Sequence, residues 1–162
     1  MAKSPAATRV LTQRHVRRLL NSKDAIRLVR EAFIAEARGR TLMPPKVYLP
    51  LPANSDFRAM PAYLMKPRKS CGLKWVNVHP GNAASRRLPT VMALITINDP
   101  DTGYPLAVLD GMLITRLRTA AAGAVAASAL SRKEASVVAL IGCGGQARSQ
   151  LEALCCVRRI RK

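Results

Sequence analysis

The chain has 162 residues, with 27 Lys+Arg against 9 Asp+Glu, a formal net charge of +18. Hydrophobic residues make up 49% and charged residues 22%, which excludes an intrinsically disordered chain. Eleven prolines and nine glycines without a period exclude collagen-like and low-complexity repeats, and the length suits one domain, or one domain and part of a second.

In chain order, Thr12 is placed to cap a short helix over 12–20 with Val16, Leu19 and Leu20 on one face. A stronger helix is predicted over 23–38, capped by Ser22. Ile26, Val29, Phe33 and Ala37 would form its apolar stripe, and Gly39 would end it. Pro44-Pro45 forces extended backbone, and strands follow at 45–50, 57–65, 72–79, 91–98 and 105–109. The run Asn98-Asp99-Pro100-Asp101-Thr102-Gly103 reads as a turn. From Gly111 the pattern becomes a small-residue helix, Ala-rich over 119–130, thin enough to pack closely on a neighbour. Residues 136–141 read as a buried parallel strand, and Ala147 to Val157 as a helix with Leu151 and Leu154 inward.

Cys71, Cys143, Cys155 and Cys156 form no CxxC and no metal-finger spacing, so no metal site is expected. No apolar run reaches the ~18 residues needed to span a bilayer, and no secretory signal is evident. A reducing, cytoplasmic setting is the expectation. The first 23 residues carry six Lys/Arg and no acid, which leaves an organelle transit peptide as the alternative to an ordinary first helix. Residues 1–81 have a net charge of +12 and residues 82–162 of +6, so the excess is spread along the chain. Clusters such as Arg158/Arg159/Arg161/Lys162 read as solvated basic surface. With aromatics at 4% there is no stacking platform, and no specific nucleic-acid partner is expected.

Gly142-x-Gly144-x-x-Ala147 sits between the strand at 136–141 and the helix at 147–157. In a dinucleotide-binding turn the first glycine permits the tight turn and the second lets backbone approach a pyrophosphate. The third small residue lets helix and strand pack closely, while the helix start supplies free N–H groups and positive dipole. The acid that would bind the ribose is expected about 20 residues further on, beyond Lys162.

The chain also resembles the ornithine cyclodeaminase/mu-crystallin family from about Leu11 to Arg161. The motifs are Met43-Pro44-Pro45-Lys46, Met60-Pro61-Ala62-Tyr63, Gly72-Leu73-Lys74-Trp75-Val76-Asn77 and His79-Pro80-Gly81-Asn82. They continue through Leu88-Pro89-Thr90-Val91, the turn at 98–103, Leu117-Arg118-Thr119-Ala120-Ala121 and Gly142 to Gln150. The resemblance implies an α/β chain: an α+β substrate and dimerisation domain over 1–131, then the first strand and helix of a Rossmann domain over 132–162. It implies NAD or NADP as cofactor, a small amino-acid or imino-acid substrate, and a homodimer formed through the first domain's sheet.

By resemblance Lys46 and Lys74 are substrate-binding residues, and Arg118 lies between substrate carboxylate and cofactor. Thr90, Gly142, Gly144, Gly145, Gln146 and Ala147 match cofactor contacts. The catalytic aspartate of the family falls beyond Lys162, so no catalytic residue is expected within the chain, which reads as the amino-terminal half of a family member. His79 is expected to have a structural loop role. Ornithine-specific members place an acid two positions before the Met-Pro motif to meet the distal amine. Here that position is Arg58, which favours a smaller amino or imino acid. The implied activity is NAD(P)-dependent cyclodeamination or dehydrogenation, inactive in this portion alone. The alternatives are a non-catalytic binding protein of the mu-crystallin type, or a decayed remnant.

Overall fold

The computed structural model describes residues 7–162. The first six residues of the basic amino-terminal segment, and that part of the transit-peptide reading, lie outside the described residues. The elements are β1 (Arg9–Leu11), α1 (Gln13–Leu19), α2 (Ser22–Ala37), β2 (Thr41–Leu42), β3 (Val47–Leu51), β4 (Ser55–Leu64) and β5 (Ser70–Val78). They continue with α3 (Asn82–Ser85), β6 (Val91–Asn98), β7 (Pro105–Asp110), α4 (Met112–Leu130) and α5 (Ala147–Val157).

Helix starts follow local side-chain chemistry. Thr12 directly precedes α1, its amide donating to the His15 ring at 3.2 Å. The cap of α2 is Asn21 and not Ser22. Asn21 Oδ1 accepts from the Asp24 amide at 2.9 Å, and its Nδ2 donates to the Asp24 carboxylate at 2.6 Å. Asn21 thus supplies the N-cap acceptor, and its side-chain amide also binds the carboxylate of the same Asp24. Gly39, at φ +62°, ends α2, its amide donating to the Glu36 carbonyl at 2.9 Å.

The chain packs as two compact units. One holds the described residues up to Val16 together with Ala35–Met112; the other holds Arg17–Ile34 together with Leu113–Lys162. In the second unit α4 shares its core with the first part of α2 and with α5.

The first unit is built on a seven-stranded mixed sheet in the order β1-β7-β6-β5-β4-β2, with β3 also paired to β4. Every pairing is antiparallel except β1 with β7. Pro61 of β4 falls where that strand's outer edge is unpaired, since β3 begins opposite Ala59 and β2 ends opposite Tyr63. Gly72 lets β5 and β6 approach: a Cβ at that position would stand 2.3 Å from the Thr96 carbonyl oxygen. The expected turn at 98–103 is held by Asp99 Oδ1, which accepts from the amides of Asp101 and Thr102 at 3.0 and 2.8 Å.

The second unit has a core of small residues. Ala120, Ala121 and Ala124 of α4 are buried against Ala25 of α2 and Ala153 of α5, with Ile26, Val29 and Val157 packed around them. Gly123 leaves room for the Gln150 side chain, whose Oε1 would lie 2.6 Å from an added Cβ. The inward residue of α5 is therefore Ala153, while Leu151 is exposed; on α2, Phe33 and Ala37 are exposed and Ala25 and Ala35 take the buried positions. Thin helices approach closely, and the contact line then excludes large side chains. Residues 136–141 form no assigned strand. The Lys162 amide donates to the Ser136 carbonyl and the Val138 amide to the Lys162 carbonyl, at 3.3 and 2.8 Å. These two bonds straddle Val137 as a single parallel rung does. Val137 and Ile141 are exposed, because one rung brings no sheet to bury them.

Arg158 is not solvated surface. Its Nη2 donates to the carbonyls of Ala127, Ser128 and Ser131 at 3.0, 3.1 and 3.1 Å, and its Nε to Ser131 Oγ at 3.0 Å. A cation thus binds the carbonyls at the negative end of α4.

Arg158→Ala should therefore lower stability by about 1–3 kcal/mol in urea unfolding, while exposed Arg159→Ala should stay within about 0.5 kcal/mol. Gly72→Ala should cost about 1–3 kcal/mol in the same measurement, since backbone and not a flexible side chain blocks the new methyl.

Candidate functional site

Strand alternation sorts the sheet of the first unit into two chemically different faces. Arg58, Met60 and Ala62 of β4 share one face with Lys74 and Val76 of β5 and Ile95 of β6, as the pairings Met60–Lys74 and Lys74–Ile95 require. Lys74 lines a shallow cavity of about 260 Å³ there with Met60, Ala62, Gly72 and Ile95. Lys46 stands one residue before β3, whose Val47 pairs with Ala59, so continuing the register sets it level with Met60. Its Nζ donates to the Tyr48 hydroxyl at 3.4 Å and lies 5.8 Å from that ring's centre. The two lysines singled out from the sequence thus belong to one sheet face.

Sequence reading missed a partner on that face. Arg58 donates from Nε and Nη2 to the two oxygens of Asp56, at 2.7 and 2.8 Å. Its guanidinium also lies 5.2 Å from the centre of the Tyr48 ring. The pair is part-buried, with side chains 30% and 20% exposed. The Arg58 hydrogen bonds hold the Asp56 carboxyl below its usual pKa against the opposing effect of burial, and Asp56 in turn raises Arg58. The available signal was their spacing, since residues two apart on a strand share a face.

Thr90 precedes β6, and its carbonyl accepts from the His79 amide at 2.8 Å. His79 sets its ring edge-on to Phe57, with centroids 5.7 Å apart. Buried Asn82 ties the intervening loop, donating from Nδ2 to the Pro89 carbonyl at 3.2 Å. His79 and Asn82 thus organise the loop that carries Thr90.

On the second unit, Arg118 lies in the second turn of α4 and has no ion-pair partner among the described residues. It is exposed by accessible surface, yet protein atoms crowd the guanidinium closely enough that desolvation lowers its pKa. Starting from so high a value, it stays charged. One turn earlier, buried Thr115 has a hydroxyl oxygen with no hydrogen-bond partner, a feature the sequence did not single out.

The turn at 142–146 fits a dinucleotide. Gly142 takes φ +94°, a conformation that favours glycine, and an added Cβ at Gly142, Gly144 or Gly145 would meet only open space. No described backbone carbonyl accepts from the amides of Cys143, Gly144, Gly145 or Gln146. The Ala147 amide turns back to the Gly144 carbonyl at 3.0 Å and opens α5, while Gln146 Oε1 is buried without a partner. Bare backbone, free amides and a helix start together make an anion cradle. Among the described residues no His/Cys/Asp/Glu group is arranged to hold a metal ion.

Comparison with known proteins agrees with this geometry. The chain is 54% identical over 147 residues to an alanine dehydrogenase of Archaeoglobus fulgidus, covering 91% of this chain and 44% of that protein. Among solved structures, an archaeal alanine dehydrogenase dimer with bound NAD superposes with a TM-score of 0.88 at 53% identity, over 94% of this chain and 46% of the other. The Δ1-pyrroline-2-carboxylate reductase of Thermococcus litoralis, in complex with NADH and L-proline, gives a TM-score of 0.91 at 36% identity, over 94% and 47%. The chain spans about half the length of the curated relatives it matches. With the family model matching residues 6–162, the chain belongs to the ornithine cyclodeaminase/mu-crystallin family.

Proposed function

We propose that this chain serves NAD(P)-dependent chemistry on small amino or imino acids, dehydrogenation in preference to cyclodeamination. The observation that carries the reading is the glycine turn, whose amides are left unbonded at the start of α5. In this reading Gly142, Gly144, Gly145, Gln146 and Ala147 hold the pyrophosphate region, with Thr90 and Arg118 as further cofactor contacts. The bound nicotinamide would accept or return a hydride at the substrate's α-carbon. Lys74, beside its cavity, anchors the substrate carboxylate with Lys46 on the same sheet face. Arg118 supplies fixed positive charge that partial desolvation strengthens. Residues 1–131 act as the substrate and dimerisation domain, and 132–162 as the opening of the cofactor domain.

Substrate choice follows from Arg58: a cation where ornithine-specific members carry an acid disfavours a diamino acid. The high identity to an alanine dehydrogenase supports the same preference. The other face of the sheet supports a homodimer. There Phe57 and Trp75 stack at 5.4 Å, and Val47 and Leu94 remain 66% and 55% exposed. A contiguous apolar sheet face of this kind marks an interaction surface. All four cysteines are free, in keeping with a cytoplasmic setting, and no described helix is long and apolar enough to cross a membrane.

NADH titrated into the chain should show saturable fluorescence enhancement. Gly144→Val should weaken it at least about ten-fold without lowering the melting temperature, since the added side chain meets open space in the protein. The family's catalytic aspartate and ribose-binding acid lie outside these 162 residues, so alanine, proline and ornithine should give no NADH formation; measurable turnover would contradict this. In light scattering, Trp75→Arg combined with Leu94→Arg should shift the mass from two chains to one.

A further inference from the structure

The second unit holds 14 Lys/Arg and 4 Asp/Glu, a net charge of +10, and much of it gathers where α4 ends. Arg30 of α2 donates from Nη2 to Ser128 Oγ at 3.3 Å, and Arg158 reaches the Ser128 carbonyl and Ser131 Oγ at 3.1 and 3.0 Å. The amides of Arg161 and Lys162 both donate to the Ser136 carbonyl, at 2.8 and 3.3 Å. These bonds lay 158–162 alongside the connector 131–136, which itself carries Arg132 and Lys133. Arg30, Arg132, Lys133, Arg159, Arg161 and Lys162 are exposed, and none has an ion-pair partner among the described residues. The connector holds one acid, Glu134, and Glu31, beside Arg30 in the chain, is taken by Arg27. Like charges crowded at one helix end repel one another, and a polyanion in place removes that repulsion.

This cluster is not the dinucleotide cradle. Helix α5 has 11 residues, so the glycine turn at its start and the cluster at its end are about 16 Å apart. Guanidinium groups dominate the cluster, and their planar donors match phosphate oxygens. No aromatic residue lies in 128–162, so the bases of a single strand have no platform. Leu130 is exposed beside the cluster, but neither the connector nor 158–162 is helical, whereas binding in a bilayer surface calls for a helix with an apolar face.

We propose that this end of the second unit is a docking surface for the phosphate backbone of duplex nucleic acid, bound without base recognition. The exposed cations displace counter-ions from successive phosphates, so affinity comes from released ions and falls steeply with salt. Arg158, fixed on the α4 carbonyls, anchors the segment that carries three of them.

Fluorescence anisotropy of a labelled DNA duplex of about 20 base pairs, titrated with the 162-residue chain, tests this. The native chain should bind at low salt, and two duplexes of unrelated sequence should agree within about two-fold. The triple variant Arg132→Gln, Arg159→Gln, Arg161→Gln should bind at least about ten-fold more weakly, with a log–log salt slope reduced by about 3. A control triple, Arg14→Gln, Arg38→Gln, Arg68→Gln, removes the same charge from exposed positions of the first unit and should stay within about three-fold of the native chain. Saturating NADH should leave duplex affinity unchanged. Should the first triple lose its fold, its three single variants replace it, each weakening binding about two-fold or more while the single control variants do not. No binding to the native chain, equal loss in both triples, displacement by NADH, or preference for one duplex sequence overturns the proposal. Tighter binding to phosphatidylserine vesicles than to the duplex, abolished by the same first triple, would overturn it in favour of a membrane surface.

Discussion

Nine antiparallel pairs between β4 and β5, from Asp56 opposite Val78 to Leu64 opposite Ser70, decide what each sheet face carries. The side-chain period of a strand is two, so a slip of one residue would exchange the faces entirely. In the observed register Arg58, Met60 and Lys74 fall together, while Phe57 and Trp75 stack on the other side. Two features fix the strands that continue the sheet from β5. Gly72 permits an approach to Thr96 that any side chain would block. Asp99 closes the β6–β7 turn through three hydrogen bonds to residues 101 and 102. Charged and aromatic side chains thus come from the same strands on opposite faces.

The second unit solves a different problem, the ends of its helices. The last carbonyls of α4 accept from Arg158, an internal partner that leaves that end closed. At the start of α5 the opposite holds, with free amides in a glycine turn that offers no side chain to cover them. Unsatisfied helix-start donors facing open space are tolerable because water or an anion can take them. The alanine-lined contact of α4 with α5 fixes that helix start without large side chains, since Ala120, Ala124 and Ala153 are all but inaccessible.

Much of this organisation was legible from residue order. Alternation placed the five long strands within two residues of their ends, and the glycine turn located the start of α5 at Ala147. What escaped has physical reasons. A three-residue edge strand such as β1 has no period to read, because β7 supplies its pairing across the chain. Phe33 and Leu151 were placed inward by the apolar pattern, but where α4 meets its neighbours Ala25, Ala120, Ala121, Ala124 and Ala153 take most of the buried positions beside Leu117. The apolar run at 136–141 carried the composition of a buried strand, yet burial is a property of neighbours, and one parallel rung supplies too few. At the candidate site, Lys46, Lys74 and the glycine turn were recognised through their motifs. Asp56 was not, since a lone acid four residues before Met60 has no motif, and only the strand geometry shows what it touches.

Charge balance explains why that acid matters. The chain has 9 acids against 27 basic side chains, so most cations have no counter-ion and must rely on water. Where acids do pair on the helices, they serve exposed neighbours one turn away, as Glu31 does for Arg27 and Glu152 for Arg148. Such pairs contribute little, because water and salt screen them. Asp101 is spent on Lys69 between two exposed turns. Asp56 differs in geometry: both oxygens are engaged, the pair is part-buried, and an aromatic ring packs against its cation. Screening is weaker there, and rearrangement is correspondingly harder. Arg58 is thereby held on its own acid, on the same sheet face as Lys74.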